Sequence, residues 1–290
     1  MRKTKKIMTY SDFEFFNTQV ESLVNKVLDS VRDKSFSDYV LLLARGGYQV
    51  EFEKTTLSPY VVSSRQEIYL DRSRKKFLVN YLNTYATILR DNNPLENEYK
   101  EYDLHIQMMI YAQIWESHRF LKTLIRISEI MTGKTYKWRI QFEELKGGKA
   151  KPIPKGIIIK EQILEPLNTG CPEFAQFIKN IYDGDLRNDF AHSSYYINIK
   201  DNAIISMNSE LYSKKKKTGL SDWEQMFIYS ALLSYYLLII INNRLNSFKK
   251  DYPNLEFVEI EWPSYIEPDK MHPKQLIPVE NKWGVEFKFR

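Results

Sequence analysis

The sequence has a single cysteine, Cys171, and that scarcity excludes both a disulfide framework and a cysteine-based zinc ribbon. It is typical of a reducing compartment, so a cytoplasmic location is predicted. Only 10 glycines and 11 prolines occur in 290 residues, which excludes collagen-like and low-complexity architectures. Neither sign of charge dominates, because 42 lysines and arginines face 37 aspartates and glutamates, so an anionic partner is permitted without being required. The 43% of hydrophobic residues suffices for a packed core and excludes wholesale disorder.

Several motifs of catalysis and cofactor binding are also missing. There is no G-x-G-x-x-G loop and no G-x-S-x-G elbow, and Gly133–Thr135 does not end a P-loop because Ser128 replaces its first glycine. The four histidines are His105, His118, His192 and His272. None has a second histidine four residues away, so neither a metal nor another cofactor is expected. Glu116 and His118, two residues apart, are predicted to point to different sides of a helix at the surface.

One apolar run has to be compared with a membrane span. Met226–Ile241 is nearly continuously apolar, but its 16 residues extend roughly 24 Å as a helix, short of the ~30 Å hydrocarbon core. A buried central helix and no membrane partner are therefore predicted, although a dimer-interface helix or a membrane span would give the same pattern. The basic start, residues 1–6, is not followed by an apolar stretch, so no secretory signal is expected.

Most of the chain has the three- and four-residue apolar spacing of amphipathic helices, which predicts a mainly α fold. We divide it into a helical extension (1–65), a multi-helix bundle (66–250) and an irregular tail (251–290) that has five prolines and no helical period. The longest predicted helix runs from Glu101 to Met131. Residues 146–156, rich in Lys, Gly and Pro, are predicted to form an exposed basic loop.

The region after residue 170 gives a sharper pattern. Pro172 opens a helix whose apolar face continues to Phe190. Residues 196–199 and 203–205 then flank Asp201-Asn202, which predicts one short β-hairpin after the helix.

The end of that helix carries the residues with the clearest chemistry, Arg187, Asn188 and His192. An imidazole, with an ordinary pKa of about 6.5, both accepts and donates a proton around neutral pH. A guanidinium is a permanent forked cation that binds phosphate oxygens and stabilises developing negative charge. Together these groups can act on a phosphodiester without a metal.

Helix geometry sets a condition on such a site. Five residues turn an ideal helix by about 500°, so Arg187 and His192 lie about 140° apart, whereas Asn188 shares a face with His192. Either the helix loosens at its end, or the long Arg187 side chain reaches round, or the second cation comes from another chain.

The run Leu186-Arg187-Asn188-Asp189-Phe190-Ala191-His192, followed by Tyr196, a short hairpin and a long closing helix, resembles the HEPN superfamily (higher eukaryotes and prokaryotes nucleotide-binding). The hallmark of that superfamily is Arg, four to six residues, then His. Asn often follows the Arg directly, and a small residue often precedes the His. The similarity extends over about residues 101–248.

The resemblance implies an all-helical HEPN-like bundle with a small hairpin, paired as a homodimer whose two motifs face each other across one cleft. It also implies a metal-independent endoribonuclease, the activity of many toxins, CRISPR-associated nucleases and anti-phage abortive-infection proteins. Arg187 would clamp the scissile phosphate, Asn188 would orient His192 or the phosphate, and His192 would act as general base or acid. The 2′-hydroxyl of the RNA would be the nucleophile, leaving a 2′,3′-cyclic phosphate and a 5′-hydroxyl. An antitoxin or a nucleotidyltransferase is the further partner expected.

Residues beside the motif are candidates for RNA contacts. Tyr195 and Tyr196 have the aromatic rings needed to stack a base. The basic loop after the hairpin, whose charges would hold phosphates and make activity salt-dependent, contains Lys214, Lys215, Lys216 and Lys217. Asp185 and Asp189 depart from the pattern because a carboxylate beside the motif repels phosphate, so both must face away from the RNA.

Two other interpretations remain open. In one, the chain is a catalytically inactive dimeric HEPN scaffold or the partner of a nucleotidyltransferase. In the other, Arg187 pairs with Asp183 or Asp185 on the helix surface, and His192 is a polar C-terminal cap that the helix dipole favours. Cleavage and retention of RNA distinguish these interpretations from the ribonuclease.

Overall fold

The computed structural model describes residues 8–53, 55, 58–63, 65–91, 97–207, 217–264, 267, 270–282 and 284–290. The structure is 62% helical, so the mainly α class predicted from the apolar spacing is confirmed. A 3-10 turn (Val50–Phe52) and a π-helical segment (Ile158–Leu164) accompany the α-helices. These are α1 (Tyr10–Lys34), α2 (Phe36–Leu43), α3 (Arg65–Arg90), α4 (Asn97–Glu116), α5 (His118–Met131), α6 (Lys155–Ile157), α7 (Glu165–Gly170), α8 (Pro172–Ile181), α9 (Gly184–His192) and α10 (Leu220–Asp251).

Within the described ranges the strands form four small antiparallel sheets, where the sequence predicted one hairpin. The sheets pair β1 with β2, β3 with β4, β5 with β6 and β7, and β8 with β9 and β10. The strands are β1 (Gly47–Tyr48), β2 (Tyr60–Val61), β3 (Glu143–Lys146), β4 (Lys149–Pro152), β5 (Tyr195–Asn198), β6 (Ala203–Ser206), β7 (Lys217–Gly219), β8 (Val258–Pro263), β9 (Met271–Asn281) and β10 (Gly284–Phe289).

The hairpin predicted after the motif helix is confirmed. Strands β5 and β6 pair with Tyr195 opposite Ser206 and Asn198 opposite Ala203. Asn202, in the turn, has a φ of 47°, a left-handed conformation that asparagine tolerates better than most residues. The third strand of this sheet, β7, has only three residues and therefore gave no periodic pattern in the sequence.

Two helices predicted to be continuous are each broken once. The predicted helix from Glu101 to Met131 stops at Ser117, whose ψ of 107° is not helical and whose hydroxyl accepts the amide of Phe120 as the cap of α5. The helix that begins at Pro172 stops at Ile181, and α9 starts again after a non-helical Asp183. The apolar spacing crosses both breaks because the helices on either side pack against the same core.

Two segments predicted to lack regular structure contain strands. Residues 146–156 are not a plain loop: β3 and β4 pair there, and the turn between them uses Gly147 and Gly148 with φ values of 62° and 75°. The tail from residue 251 is not irregular, because β8, β9 and β10 form a three-stranded sheet in it. Proline inside a strand removes a ladder hydrogen bond, and Pro273 and Pro278 therefore obscured the strand pattern of β9.

One continuous core joins the helices and the C-terminal sheet, and α10 lies at its centre. Trp223 and Phe227 of α10 are fully buried, and Phe287 of β10 packs on Phe248 of α10 with ring centroids 5.0 Å apart. Helix α1 runs along α10, where Arg244 and Asp29 form an ion pair of 2.9 Å. Among the described residues, one helix, α10, is long and apolar enough to cross a membrane. In its most apolar window, 67% of the residues are buried inside the protein.

Candidate active site

Helix α9 is short, and its ends are set by two local features. The carboxylate of Asp183 accepts the backbone amides of Asp185 (3.0 Å) and Leu186 (3.1 Å), which satisfies amides that have no partner inside the helix. The helix ends at His192 because Ser193 adopts a left-handed conformation with φ 54°. Leu186 is fully buried and anchors the helix to the core.

A buried tyrosine holds the start of α9 against α4. The hydroxyl of Tyr111, on α4, donates to the carbonyl of Ile181 (3.0 Å) and accepts the backbone amide of Asp183 (2.9 Å). Burial raises the pKa of Tyr111, so its hydroxyl keeps the proton that it donates. This one side chain therefore fixes the junction between α8 and α9 relative to the end of α4.

Arg187 of α9 forms an ion pair with Glu116, the last residue of α4. The Nη1 of Arg187 lies 2.5 Å from the Oε1 of Glu116, and the two side chains are 11% and 41% exposed. The Nε of Arg187 is buried and has no hydrogen-bond acceptor among the described residues. Burial raises the pKa of Tyr182, while the neighbouring Arg187 guanidinium works in the opposite direction. The guanidinium thus has a donor directed at no protein acceptor.

A second pair, His118 and Lys155, lies beside the first. The Nζ of Lys155 is 2.9 Å from the Nε2 of His118, and the imidazole stacks on the ring of Phe142 at 4.2 Å between centroids. Burial lowers the pKa of His118, and the charge of Lys155 lowers it further. His118 is therefore neutral at neutral pH, with Nε2 accepting a hydrogen bond from the Lys155 ammonium.

Electrostatic effects join the two pairs into a single cluster. Burial lowers the pKa of Lys155; the carboxylate of Glu116 raises it, and the guanidinium of Arg187 lowers it. We call Glu116, His118, Lys155, Tyr182 and Arg187 the Arg187 cluster. It combines two cations with a neutral imidazole, which are groups that can bind a phosphate and accept a proton.

The sequence did not reveal Glu116, His118 or Lys155 as members of a site. Glu116 and His118 were predicted to be surface residues on different sides of one helix. Both have exposed surface, but the break at Ser117 places them at the facing ends of α4 and α5 instead of on one helix. A serine followed by the start of an apolar helix is the only local pattern that could have suggested the break. Lys155 lies in a segment predicted to be a loop, and nothing local indicated its partner.

The predicted catalytic residues of α9 differ in exposure. His192 is exposed at the end of α9, and Asn188 is half-buried. Within the described part of the chain, no hydrogen bond joins the side chain of His192 to Arg187, whose guanidinium is paired with Glu116. Helix geometry likewise predicts a separation of about 140° between two side chains five residues apart on α9.

The two acidic residues beside the motif differ in their surroundings. Asp189 is fully buried and accepts a hydrogen bond from the hydroxyl of Ser206 on β6, so its carboxylate faces the protein interior. Asp185 is exposed in the first turn of α9, where a negative charge is favourable to the helix dipole. The carboxylate of Asp189 therefore does not face the surface that a phosphate could approach.

The predicted RNA-contacting residues are placed unevenly. The hydroxyl of Tyr195 lies 2.8 Å from the Nδ1 of His105, and burial raises the pKa of Tyr195, so this ring is already engaged. Tyr196 is 43% exposed on β5. Lys217, on β7, pairs with Asp201 at 3.3 Å. Lys214, Lys215 and Lys216 lie outside the described residues.

The fold and the cluster define a mainly helical protein with a half-buried arginine site between α4 and α9. In the part of the chain that the structure describes, no three His, Cys, Asp or Glu side chains are grouped so that they could hold a metal ion. Comparison of the chain with known protein families, with curated proteins and with solved structures finds no match.

Proposed function

We propose that this protein is a metal-independent endoribonuclease, acting as a toxin or an anti-phage defence effector. The observation that carries the proposal is the composition and exposure of α9. His192 is exposed at its end, Arg187 is 11% exposed and paired with Glu116, and the carboxylate of Asp189 is buried. The similarity of residues 186–192 to the HEPN pattern supports the same activity.

The proposed reaction uses the RNA as its own nucleophile. His192 takes the proton of the 2′-hydroxyl, and the 2′-oxygen attacks the adjacent phosphorus. The bond from phosphorus to the 5′-oxygen breaks, and the imidazolium returns a proton to that oxygen, which leaves a 2′,3′-cyclic phosphate and a 5′-hydroxyl. Arg187 stabilises the charge that builds on the phosphoryl oxygens, and Asn188 orients the phosphate or His192.

A second copy of the chain completes the site in this proposal. Arg187 is directed at Glu116 and His192 is exposed on another side of α9, so a partner whose α9 lies against the first supplies His192 to Arg187. The free donor at Nε of Arg187 and the cation of Lys155 provide further contacts for the phosphate. Glu116 is the more exposed partner of the ion pair, and an incoming phosphate can displace it.

The test is cleavage of single-stranded RNA by the purified full chain in EDTA. Wild-type protein is expected to cut and to leave 2′,3′-cyclic phosphate ends. His192→Ala and Arg187→Ala are each expected to lose activity by about 10²- to 10⁴-fold, the usual size of general acid–base and oxyanion effects. His272→Ala, which removes an exposed histidine of β9, is the matched control and should cut like wild type. Retained cutting in either folded motif variant refutes the assignment.

An inactive dimeric scaffold is the second candidate, favoured by the ion pair that neutralises Arg187 within one chain. In that case the protein elutes as a dimer, with or without a nucleotidyltransferase partner, and cuts no RNA at any salt concentration. A nucleotide added by such a partner would be sought by mass spectrometry at Tyr196, whose ring is exposed, whereas the hydroxyl of Tyr195 is held by His105.

A further inference from the structure

An arginine-lined cavity lies beside the Arg187 cluster, bordered by α2, α3, α5 and α10. Its volume is about 60 Å³, counted as the space open to the centre of a water molecule. At roughly 10–15 Å³ for each water, it holds about four to six waters or one group the size of phosphate, and it is too small for a nucleobase. The charged residues of its lining are Arg45, Asp71, Arg74, Arg119, Lys122 and Arg126.

The single carboxylate in that lining already serves two of the cations. Asp71 is 3% exposed, and its Oδ2 accepts from the Nε of Arg45 at 2.9 Å and from the Nη2 of Arg119 at 2.5 Å. Because one carboxylate balances one charge, the cavity lining has a net positive charge.

Two further arginines of the lining have neutral partners. Arg126 is 7% exposed; its Nε donates to the carbonyl of Lys137 at 3.3 Å, and its guanidinium lies over the ring of Tyr136. No carboxylate pairs with Arg126 among the residues described. At the mouth of the cavity, Arg74 donates to the hydroxyl of Ser117. The buried guanidinium of Arg126 is unfavourable without a counter-ion, and a bound anion would remove that cost.

We propose that this cavity binds a phosphate monoester group as its dianion. The guanidiniums of Arg74 and Arg126, which form no ion pair with a carboxylate of the described residues, match the two negative charges that such a group has near neutral pH. Their forked donors also match the geometry of its oxygens. The mouth continues into a surface groove that includes Ser117 and His118, so the rest of the phosphorylated molecule extends over that groove. This inference does not depend on RNA cleavage.

Titration calorimetry of the full chain with inorganic phosphate, in a chloride buffer, tests the site. Saturable binding at one site per chain is expected. Arg126→Gln and Arg74→Gln should each raise the Kd by about tenfold or more, the usual effect of losing a charge-assisted hydrogen bond. Arg72→Gln, an equal loss of charge on the exposed side of α3, is the control and should change the Kd by less than about twofold.

Circular dichroism verifies the folding of each variant. If Arg126→Gln does not fold because its site is buried, Arg74→Gln still tests the proposal, since Arg74 is exposed. Absence of saturable phosphate binding, or an equal loss in Arg72→Gln, overturns the proposal.

A second set of titrations distinguishes the two sources of such a phosphate. One ligand is adenosine 5′-monophosphate; the others are DNA oligonucleotides of one sequence with a 5′-phosphate or a 5′-hydroxyl, which lack the 2′-hydroxyl that cleavage needs. Equal binding of the two oligonucleotides, with the mononucleotide bound in an Arg126-dependent way, indicates a small-molecule ligand. At least tenfold tighter binding of the phosphorylated strand, lost in Arg126→Gln, indicates recognition of a strand end. Both results support the site.

Discussion

At the scale of single residues, the ion pair between Arg187 and Glu116 compensates the positive charge that the proposed ribonuclease would use to bind a phosphate. Arg187 is only 11% exposed, so its charge needs a partner whenever no substrate is present. Glu116 is 41% exposed and therefore loses less hydration in the pair. We infer that Glu116 orients the guanidinium and is displaced by the substrate.

Substitution of Glu116 by glutamine is expected to separate binding from catalysis. Glu116→Gln removes the competing carboxylate, so the KM for RNA should not rise. It also removes the charge that orients Arg187, and kcat should fall about 10- to 100-fold, the effect of a small misplacement of a catalytic group. Steady-state cleavage kinetics measure both values. Glu161→Gln, an exposed glutamate of the π-helical segment, is the control, and a Glu116→Gln variant with an unchanged kcat would contradict the orienting role.

Replacing Lys155 should raise the pKa of His118. Burial and the charges of Lys155 and Lys122 hold that pKa below its ordinary value of 6.5, so Lys155→Gln removes one of the three effects. The pKa is measured by NMR titration of the His118 ring, with Lys151→Gln, an exposed lysine of β4, as control. Because the folded-state pKa lies below the unfolded value, His118 favours folding above about pH 6.5, and this contribution is lost as the pH falls toward the folded-state pKa. A lower or unchanged pKa in Lys155→Gln would mean that the contact is absent in solution.

At the scale of elements, two short polar side chains set where the site can form. Ser117 ends α4 and starts α5, and Asp183 separates α8 from α9. Each cap satisfies backbone amides that a helix start leaves without partners. Without the break at Ser117, Glu116 would lie within a continuous helix. Without the break at Asp183, the residues around Arg187 would continue in the direction of α8.

Removal of the α9 cap is expected to destabilise the motif helix measurably. Asp183→Ala should lower the free energy of unfolding by about 1 kcal/mol, within the usual range of 0.5–2 kcal/mol for a lost N-cap. Urea unfolding measures the change, and faster amide exchange in residues 185–187 locates it. Asp183→Asn is the matched control because asparagine caps about as well as aspartate. Equal stability of the alanine and asparagine variants would show that α9 does not depend on this cap.

At the scale of the whole molecule, one core holds the N-terminal helices, the bundle and the C-terminal sheet together. Helix α10 is apolar along most of its length because α1, α3, α4, α8 and β10 all pack against it. Helix α9 lies at the margin of this core, with His192 exposed. This position leaves the imidazole of His192 accessible from outside the protein, as the proposed shared site requires.

Mixing two inactive variants tests whether the site is shared between chains. If Arg187 of one chain acts with His192 of its partner, a heterodimer of Arg187→Ala and His192→Ala contains one intact site. After equal mixing and exchange of subunits, about a quarter of the wild-type sites should be active, since half of the dimers are mixed and each has one intact site of two. RNA cleavage in EDTA measures the recovery, and each variant alone is the control. No recovery after verified exchange would place both groups within one chain.

Local patterns in the sequence predicted much of the fold around the motif. The helix from Pro172, the hairpin from Tyr195 to Ser206 and the position of Arg187, Asn188 and His192 on one helix all follow from spacing within a few residues. The predictions were wrong where a cap or a proline overrode the spacing, as at Ser117, Asp183 and the C-terminal strands. The apolar pattern runs through both caps, so periodicity did not show the breaks, and only the polar residue at each cap could have suggested them.

By itself, the sequence determined the mainly helical class, the motif helix and the groups that it presents, since each depends on residues that are neighbours along the chain. Only the tertiary structure decided that Arg187 meets Glu116, that Lys155 meets His118 and that Asp189 is buried under Ser206. These contacts join side chains from separate elements, and their geometry depends on how the helices pack around α10. No local pattern encodes that packing, because the same apolar spacing is compatible with many arrangements of the same helices.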